Sequence, residues 1–243
     1  MPRDVELDIV AVSAHPDDTE IGCGGTLAKA AAQGYKVGII DLTDGEPTPG
    51  SPSPEVRLEE ARKASEILGV TLRETLSLPN RKLFDDFESR LELARALRKY
   101  RPRLVISIGG KTVTFSPDHY QAMLIIEAAV FYCKLTKWEQ YFDPYPPCPV
   151  PALVYWPTIL RDPGIPQNDF IVDITDTYEA KVDAILAYKT QFAPGSPNYE
   201  RIVDWVEASA RYNGSKAGFR YGELFCTPQM PGTDDVMKFL KLA

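Results

Sequence analysis

Leu7-Asp8-Ile9-Val10-Ala11-Val12-Ser13-Ala14-His15-Pro16-Asp17-Asp18-Thr19-Glu20 is the stretch on which the reading of this chain turns. Its first half is a short apolar run rich in β-branched residues, the pattern of a strand buried on both faces. Its second half is abruptly polar. Pro16 fixes its own φ and biases His15 toward an extended conformation. A histidine and two adjacent carboxylates therefore stand at the carboxyl end of a buried strand.

The pattern extends outward from there. Gly22 to Gly34 carries Leu27, Ala28, Ala30 and Ala31 and stops at a glycine, which predicts a helix. Lys36 to Leu42 reads as a second strand, and Thr43 to Pro54, rich in Pro, Gly and Ser, as a loop. Glu55 to Leu68 has helical spacing and is closed by Gly69. A strand over Leu72 to Leu78, a helix over Phe87 to Tyr100, a strand over Leu104 to Ile108 and a helix over Asp118 to Phe131 continue the alternation. Later come strands at Ala152 to Trp156 and Phe170 to Ile174, then helices at Asp176 to Tyr188 and Tyr199 to Tyr212. Between them, Lys134 to Pro151 is aromatic and proline-rich, a loop expected to pack or to contact a partner. Alternating strands and helices predict an α/β chain with a parallel sheet covered on both faces, which binds ligands at the carboxyl ends of its strands.

The 243 residues suit one domain, 1–243, and 44% apolar content supports a sizeable core. A net charge of -7 weighs against a nucleic-acid partner but not against a small charged substrate. Cys23, Cys133, Cys148 and Cys226 form no Cys-x-x-Cys pair and read as reduced thiols of a cytoplasmic protein. The first residues lack the apolar core of a signal peptide, and no uncharged apolar run approaches the roughly 18 residues of a membrane span. A soluble protein without a membrane partner is expected.

His15 and Asp18 offer the nitrogen and oxygen ligands that zinc accepts. A catalytic zinc takes three protein ligands and keeps one position open. The third candidate is His119 in Ser116-Pro117-Asp118-His119, which follows the Leu104 to Ile108 strand and should reach the same sheet edge. These are the chain's 2 histidines, and both stand in strand-to-helix turns beside Pro and Asp. A lone histidine is more often structural, and an aspartate pair is often a helix cap; the repeated placement favours a metal site. The chemistry expected of it is attack of metal-activated water on an amide, with Asp17 as general base and later proton donor. Such a site takes Zn²⁺, and Fe²⁺ or another divalent ion as well.

Ala14-His15-Pro16-Asp17-Asp18-Thr19-Glu20 with Gly22-Cys23-Gly24-Gly25-Thr26 resembles the signature of the LmbE-like, or PIG-L-type, zinc-dependent N-deacetylases. Asp41 to Glu46, Arg57 with Glu60 and Ala61, Leu78 to Arg81, Ala187 to Phe192 and Tyr221 to Phe225 are similar to its bacillithiol-type branch. The resemblance implies a Rossmann-like three-layer sandwich with a mainly parallel sheet. It implies removal of an acyl group, acetyl above all, from an N-acetylglucosamine-type conjugate, and a homo-oligomer, hexamers being common among relatives. The aromatic segment offers interface material for that assembly. His119 matches the last histidine of the family's His-Pro-Asp-His segment, so the resemblance gives the same ligands and the same base. Arg57 corresponds to a pocket-lining arginine, the alternative being a solvated helix charge.

One departure matters. Ser116 stands where the family has the histidine thought to stabilise the oxyanion, with Asp118 orienting it, and Phe115 replaces a usual arginine. Losing one oxyanion donor costs on the order of 100- to 1000-fold in rate. Tyr155 or Arg81 is then expected to supply the donor, or the substrate differs, or activity is weak. Arg57, Arg81, Ser116, Asp118 and Tyr155 are thus the candidate substrate residues.

Two rivals stand beside this reading. A dinucleotide-binding protein would use the Gly22 to Gly25 turn and Asp41, but Leu27 occupies the third glycine position of Gly-x-Gly-x-x-Gly. A non-catalytic metal- or sugar-binding module draws on Ser116.

Overall fold

The computed structural model describes residues 5–112, 115–157 and 168–239. Its strands are β1 (Ile9–Ser13), β2 (Val37–Asp41), β3 (Leu72–Thr75), β4 (Leu104–Gly109), β5 (Ala152–Pro157), β6 (Asn168–Asp173) and β7 (Gly222–Thr227). Its helices are α1 (Asp18–Ala32), α2 (Pro54–Leu68), α3 (Phe87–Tyr100), α4 (Asp118–Cys133), α5 (Glu139–Phe142), α6 (Tyr178–Leu186), α7 (Pro197–Lys216) and α8 (Val236–Phe239).

The strands form one sheet in the order β3-β2-β1-β4-β5-β7-β6. The first five in that order run parallel, and β7 is antiparallel to both neighbours. The sheet is flanked by helices, as the alternation predicts. Right-handed crossovers put α1 and α2 on one face. The connection through α3 runs back across the sheet and so lies on the other face, where α3 packs on α4. The strand order therefore reverses between β1 and β4, and loops leaving two adjacent strands diverge there. That divergence opens the crevice in which α/β sheets bind ligands. The chain enters it after β1 at His15 and after β4 on the way to His119. Gly110, with φ +97°, makes the turn out of β4 that a β-carbon would oppose.

Three expectations are corrected. First, α1 begins at Asp18 rather than at Gly22, so the glycine cluster lies in the interior of a helix kinked at Cys23. These glycines serve packing: a β-carbon on Gly22 would lie 2.3 Å from Trp156 Nε1, and one on Gly25 2.9 Å from Ile174. No glycine-rich loop remains to cradle a dinucleotide. Second, β7 went unread as a strand because Gly222 and Glu223 are poor strand formers. Glu223 is tolerated in the interior because it accepts from the backbone N–H groups of Gly25 and Thr26 and pairs with Lys181. Third, the Lys134 to Pro151 segment, read as a loop that packs or contacts a partner, contains the short helix α5 and packs several of its rings against α3. Trp138 and Tyr141 pack on Phe87, and Phe142 is fully buried beneath Arg98.

The helix-interior glycines give a test of the packing account. Gly22→Ala should lose about 1–3 kcal/mol from overpacking against Trp156, more than the roughly 1 kcal/mol alanine gains in helix propensity. Gly24→Ala meets nothing closer than 3.5 Å and should be neutral or stabilising. Urea melts of the two variants check the contrast.

Candidate metal centre

The turn after β1 is built around Asp18. Its Oδ2 accepts from the backbone N–H of His15 at 3.0 Å and lies 3.2 Å from His15 Nδ1. Its Oδ1 lies 3.3 Å from His119 Nε2. One ligand atom from each of His15, Asp18 and His119 can be chosen so that all three lie within 4.8 Å of one another. Two ligands about 2.0–2.1 Å from a tetrahedral zinc stand roughly 3.3 Å apart, close to each nitrogen–oxygen separation, one at each oxygen of Asp18. The outer nitrogen of each ring has its own partner: His15 Nε2 faces Asp118 Oδ2 at 3.3 Å, and His119 Nδ1 faces Thr112 Oγ1 at 3.0 Å. A ligating histidine needs that second contact to fix its ring. The donor set fits a divalent metal ion and can hold one; nothing in it singles out zinc.

Electrostatics agree with a cation-binding site. Burial and the two histidines oppose each other at Asp18, and His119 and His15 hold its carboxyl well below the usual range. Burial alone would lower His15, yet its hydrogen bonds to Asp118 and Asp18 raise it to about 10. His119 is raised as well, Asp18 outweighing burial. Without a metal the cluster gathers protons, which a bound cation must displace.

Asp17 sits beside the cluster but is not part of it. Its backbone is left-handed, φ 111°, a conformation few non-glycine residues adopt, aspartate among them. It occupies the N-cap position of α1 without making a side-chain cap hydrogen bond, so capping does not account for its carboxylate. Instead Oδ2 accepts from Arg57 Nη2 at 2.9 Å. Burial pushes Asp17 up to about 6 against the pull of Arg57. Strain of this kind concentrates at functional sites.

The expected substrate residues divide. Arg57 is 3% exposed, so it is not a solvated helix charge. Its Nη2 also donates to the carbonyl of Pro16, and its guanidinium lies 5.1 Å from the Tyr188 ring centre. Its Nε and Nη1 are buried without a partner among the described residues, the three N–H groups they carry left for a buried water. Arg81 has an exposed side chain; its backbone N–H, at φ 64°, donates to Asp118. Asp118 is 1% exposed, and its Oδ2 lies 3.3 Å from His15 Nε2. Ser116 Oγ accepts from the Asp118 N–H, closing the start of α4. Tyr155 is 3% exposed, and its hydroxyl donates to Glu127 at 2.8 Å. Burial raises that phenol far above its ordinary range, so it is a poor oxyanion donor.

Arg73, which the sequence did not single out, supports the turn from below together with three residues of the quoted motifs. Arg73 forks onto Asp41 at the end of β2 and reaches Glu20 in the first turn of α1. Tyr188 donates to the same Glu20 at 2.9 Å. The signal for Arg73 was weak, since it stands in a short, polar, half-buried strand. Thr112 carried none.

No helix among the described residues is long and apolar enough to cross a membrane. The fold is similar over 95% of this chain to a conserved protein of Thermus thermophilus, at 36% identity, 98% coverage of that chain and a TM-score of 0.82. The diacetylchitobiose deacetylase of Thermococcus kodakarensis is 29% identical over 88% of this chain and 80% of its own length. The 4-oxalmesaconate hydratase of Pseudomonas putida is 26% identical over 72% of this chain and 70% of its own length. Residues 10–130, which span β1 and both histidine turns, match the family described as GlcNAc-PI de-N-acetylase. With that match, the His15 turn and the shared fold, the chain belongs to the PIG-L family, a family of deacetylases.

Proposed function

We propose that the chain is a metal-dependent hydrolase that removes an acetyl group from an N-acetylated amino-sugar conjugate, with His15, Asp18 and His119 as ligands and Asp17 as general base. The observation that carries this reading is the division of labour in one turn. Asp18 is spent on the two histidines, while Asp17, one residue earlier, is held apart from them on Arg57. A bound divalent ion supplies Lewis acidity toward water and carbonyl oxygen. Asp17 takes up the proton and later returns it to the leaving amine. Arg57 holds the Asp17 carboxylate in place and keeps it ionised at neutral pH. Thr112 and Asp118 hold the two rings. Zinc is the proposed ion, because nitrogen and carboxylate ligands suit it.

The names of relatives support an amino-sugar substrate. A second reading, altered or weak hydrolase activity in a metal- or sugar-binding family member, is favoured by Ser116. Its short side chain carries no positive charge, and its oxygen accepts from the Asp118 N–H at the start of α4, while Tyr155 and Asp118 are buried on Glu127 and His15. The likeness to a hydratase also keeps water addition in view. The experiment is to assay zinc-loaded and chelator-stripped protein for amine release from a panel of N-acetylglucosamine conjugates and diacetylchitobiose. Release that chelation abolishes supports the proposal. No release across the panel, with zinc bound, favours the second reading.

A further inference from the structure

We propose that Thr112 is a positioning residue for His119, its hydroxyl accepting from the Nδ1–H of that ring and so leaving Nε2 as the ligating nitrogen. The inference rests on the metal reading of the site but not on any particular substrate.

Hydrogen-bond direction carries it. Thr112 Oγ1 lies 3.1 Å from the carbonyl oxygen of Ser116 and 3.0 Å from His119 Nδ1. A hydroxyl has one hydrogen and two lone pairs. The Ser116 carbonyl can only accept, so the hydroxyl hydrogen goes there. What remains for His119 is a lone pair, and Nδ1 must carry the hydrogen, whether the ring is neutral or cationic. In the neutral ring Nε2 then has the free lone pair, and Nε2 is the atom 3.3 Å from Asp18 Oδ1. Asp118 settles His15 in the opposite sense: a carboxylate accepts from Nε2–H, and Nδ1 faces Asp18. The two rings thus present different nitrogens, fixed by different groups. Threonine suits the task because its branched β-carbon restricts χ1 and holds the hydroxyl still.

Two histidines in the chain make the test unambiguous. In metal-free protein labelled with ¹⁵N-histidine, the His119 Nδ1–H should exchange slowly with solvent. Thr112→Val, which keeps the shape and removes the hydroxyl, should make that proton exchange rapidly and leave the His15 Nε2–H untouched. Thr112→Ser should restore the slow signal. Zinc affinity, measured against a competing chelator, should fall about 10- to 100-fold in Thr112→Val and recover in Thr112→Ser. Thr112→Ala gives the same readings if valine disturbs the loop. A His119 Nδ1–H that remains protected in the valine and alanine variants, or a zinc affinity equal to that of the unmodified chain, overturns the proposal. A chain that binds no zinc in any form, yet loses protection on removal of the hydroxyl, keeps the hydrogen bond and overturns the metal reading instead.

Discussion

Asp17→Asn should lower turnover by about 100- to 10,000-fold, the usual weight of a general acid–base group, while bound zinc and the melting curve stay close to those of the unmodified protein. Asparagine is the right replacement because it tolerates the left-handed backbone at this position and preserves the size of the side chain. The ligands should be undisturbed, since His15, Asp18 and His119 are held by one another, Asp118 and Thr112 rather than by Asp17. Asparagine can still accept from Arg57, but it cannot take a proton. A variant that retains more than a tenth of the activity would remove Asp17 from the proton pathway. Arg57→Met tests the same assignment through pH. Burial already pushes the Asp17 carboxyl up to about 6, and the Arg57 cation opposes that push. Without the cation the charged form is less favoured and the carboxyl rises further. The base must be ionised to work, so the acid limb of the pH–rate profile should move to higher pH in Arg57→Met. A limb that stays put, or moves to lower pH, would separate Arg57 from the ionisation of Asp17.

How much of this the sequence disclosed depends on the range of the interactions involved. The first strand, the turn after it and the alternation that builds a parallel sheet are local patterns, and they were readable because β1 and β2 are almost wholly apolar. The gathering of His15, Asp18 and His119 was readable for a topological reason: both turns leave carboxyl ends of strands that the order reversal makes neighbours. The misreadings are cases where a distant partner decides. Gly22 reads as turn chemistry until Trp156 arrives against it. Glu223 argues against a strand until Lys181 and two backbone amides satisfy it. Tyr155 looks available as a donor until Glu127 takes its hydroxyl. Asp118 enters the candidate list through the resemblance, as the residue that orients the missing histidine, and here it faces the ring of His15 instead. Thr112 was invisible, since nothing in Gly-Lys-Thr marks a hydroxyl that will meet a ring seven residues later.

The largest stability effect should come from Arg73→Met, which lies outside the reactive groups altogether. Arg73 is buried between Asp41 and Glu20, both fully enclosed, and it donates to each of them and to Ser65. Removing one partner of a buried ion pair costs about 3–5 kcal/mol, because a charge is left enclosed without compensation; here two carboxylates would be left. That is a large share of the roughly 5–15 kcal/mol that holds a domain folded. Urea melts should show the loss directly, and Arg73→Lys should recover only part of it, since an ammonium cannot fork onto Asp41 as the guanidinium does at 2.6 and 2.9 Å. A small loss in Arg73→Met, below about 1 kcal/mol, would mean that water reaches this network and screens it. The consequence for the site follows from where the network is attached. Glu20 stands two residues after Asp18 in the first turn of α1, and Asp41 ends the strand beside β1. Tyr188 both anchors on Glu20 and lies under Arg57. The same buried charges that hold α1 to the sheet therefore hold the strained turn that separates Asp17 from Asp18. A variant that loosens them should weaken zinc binding and turnover together, whereas Asp17→Asn should spare zinc and abolish turnover.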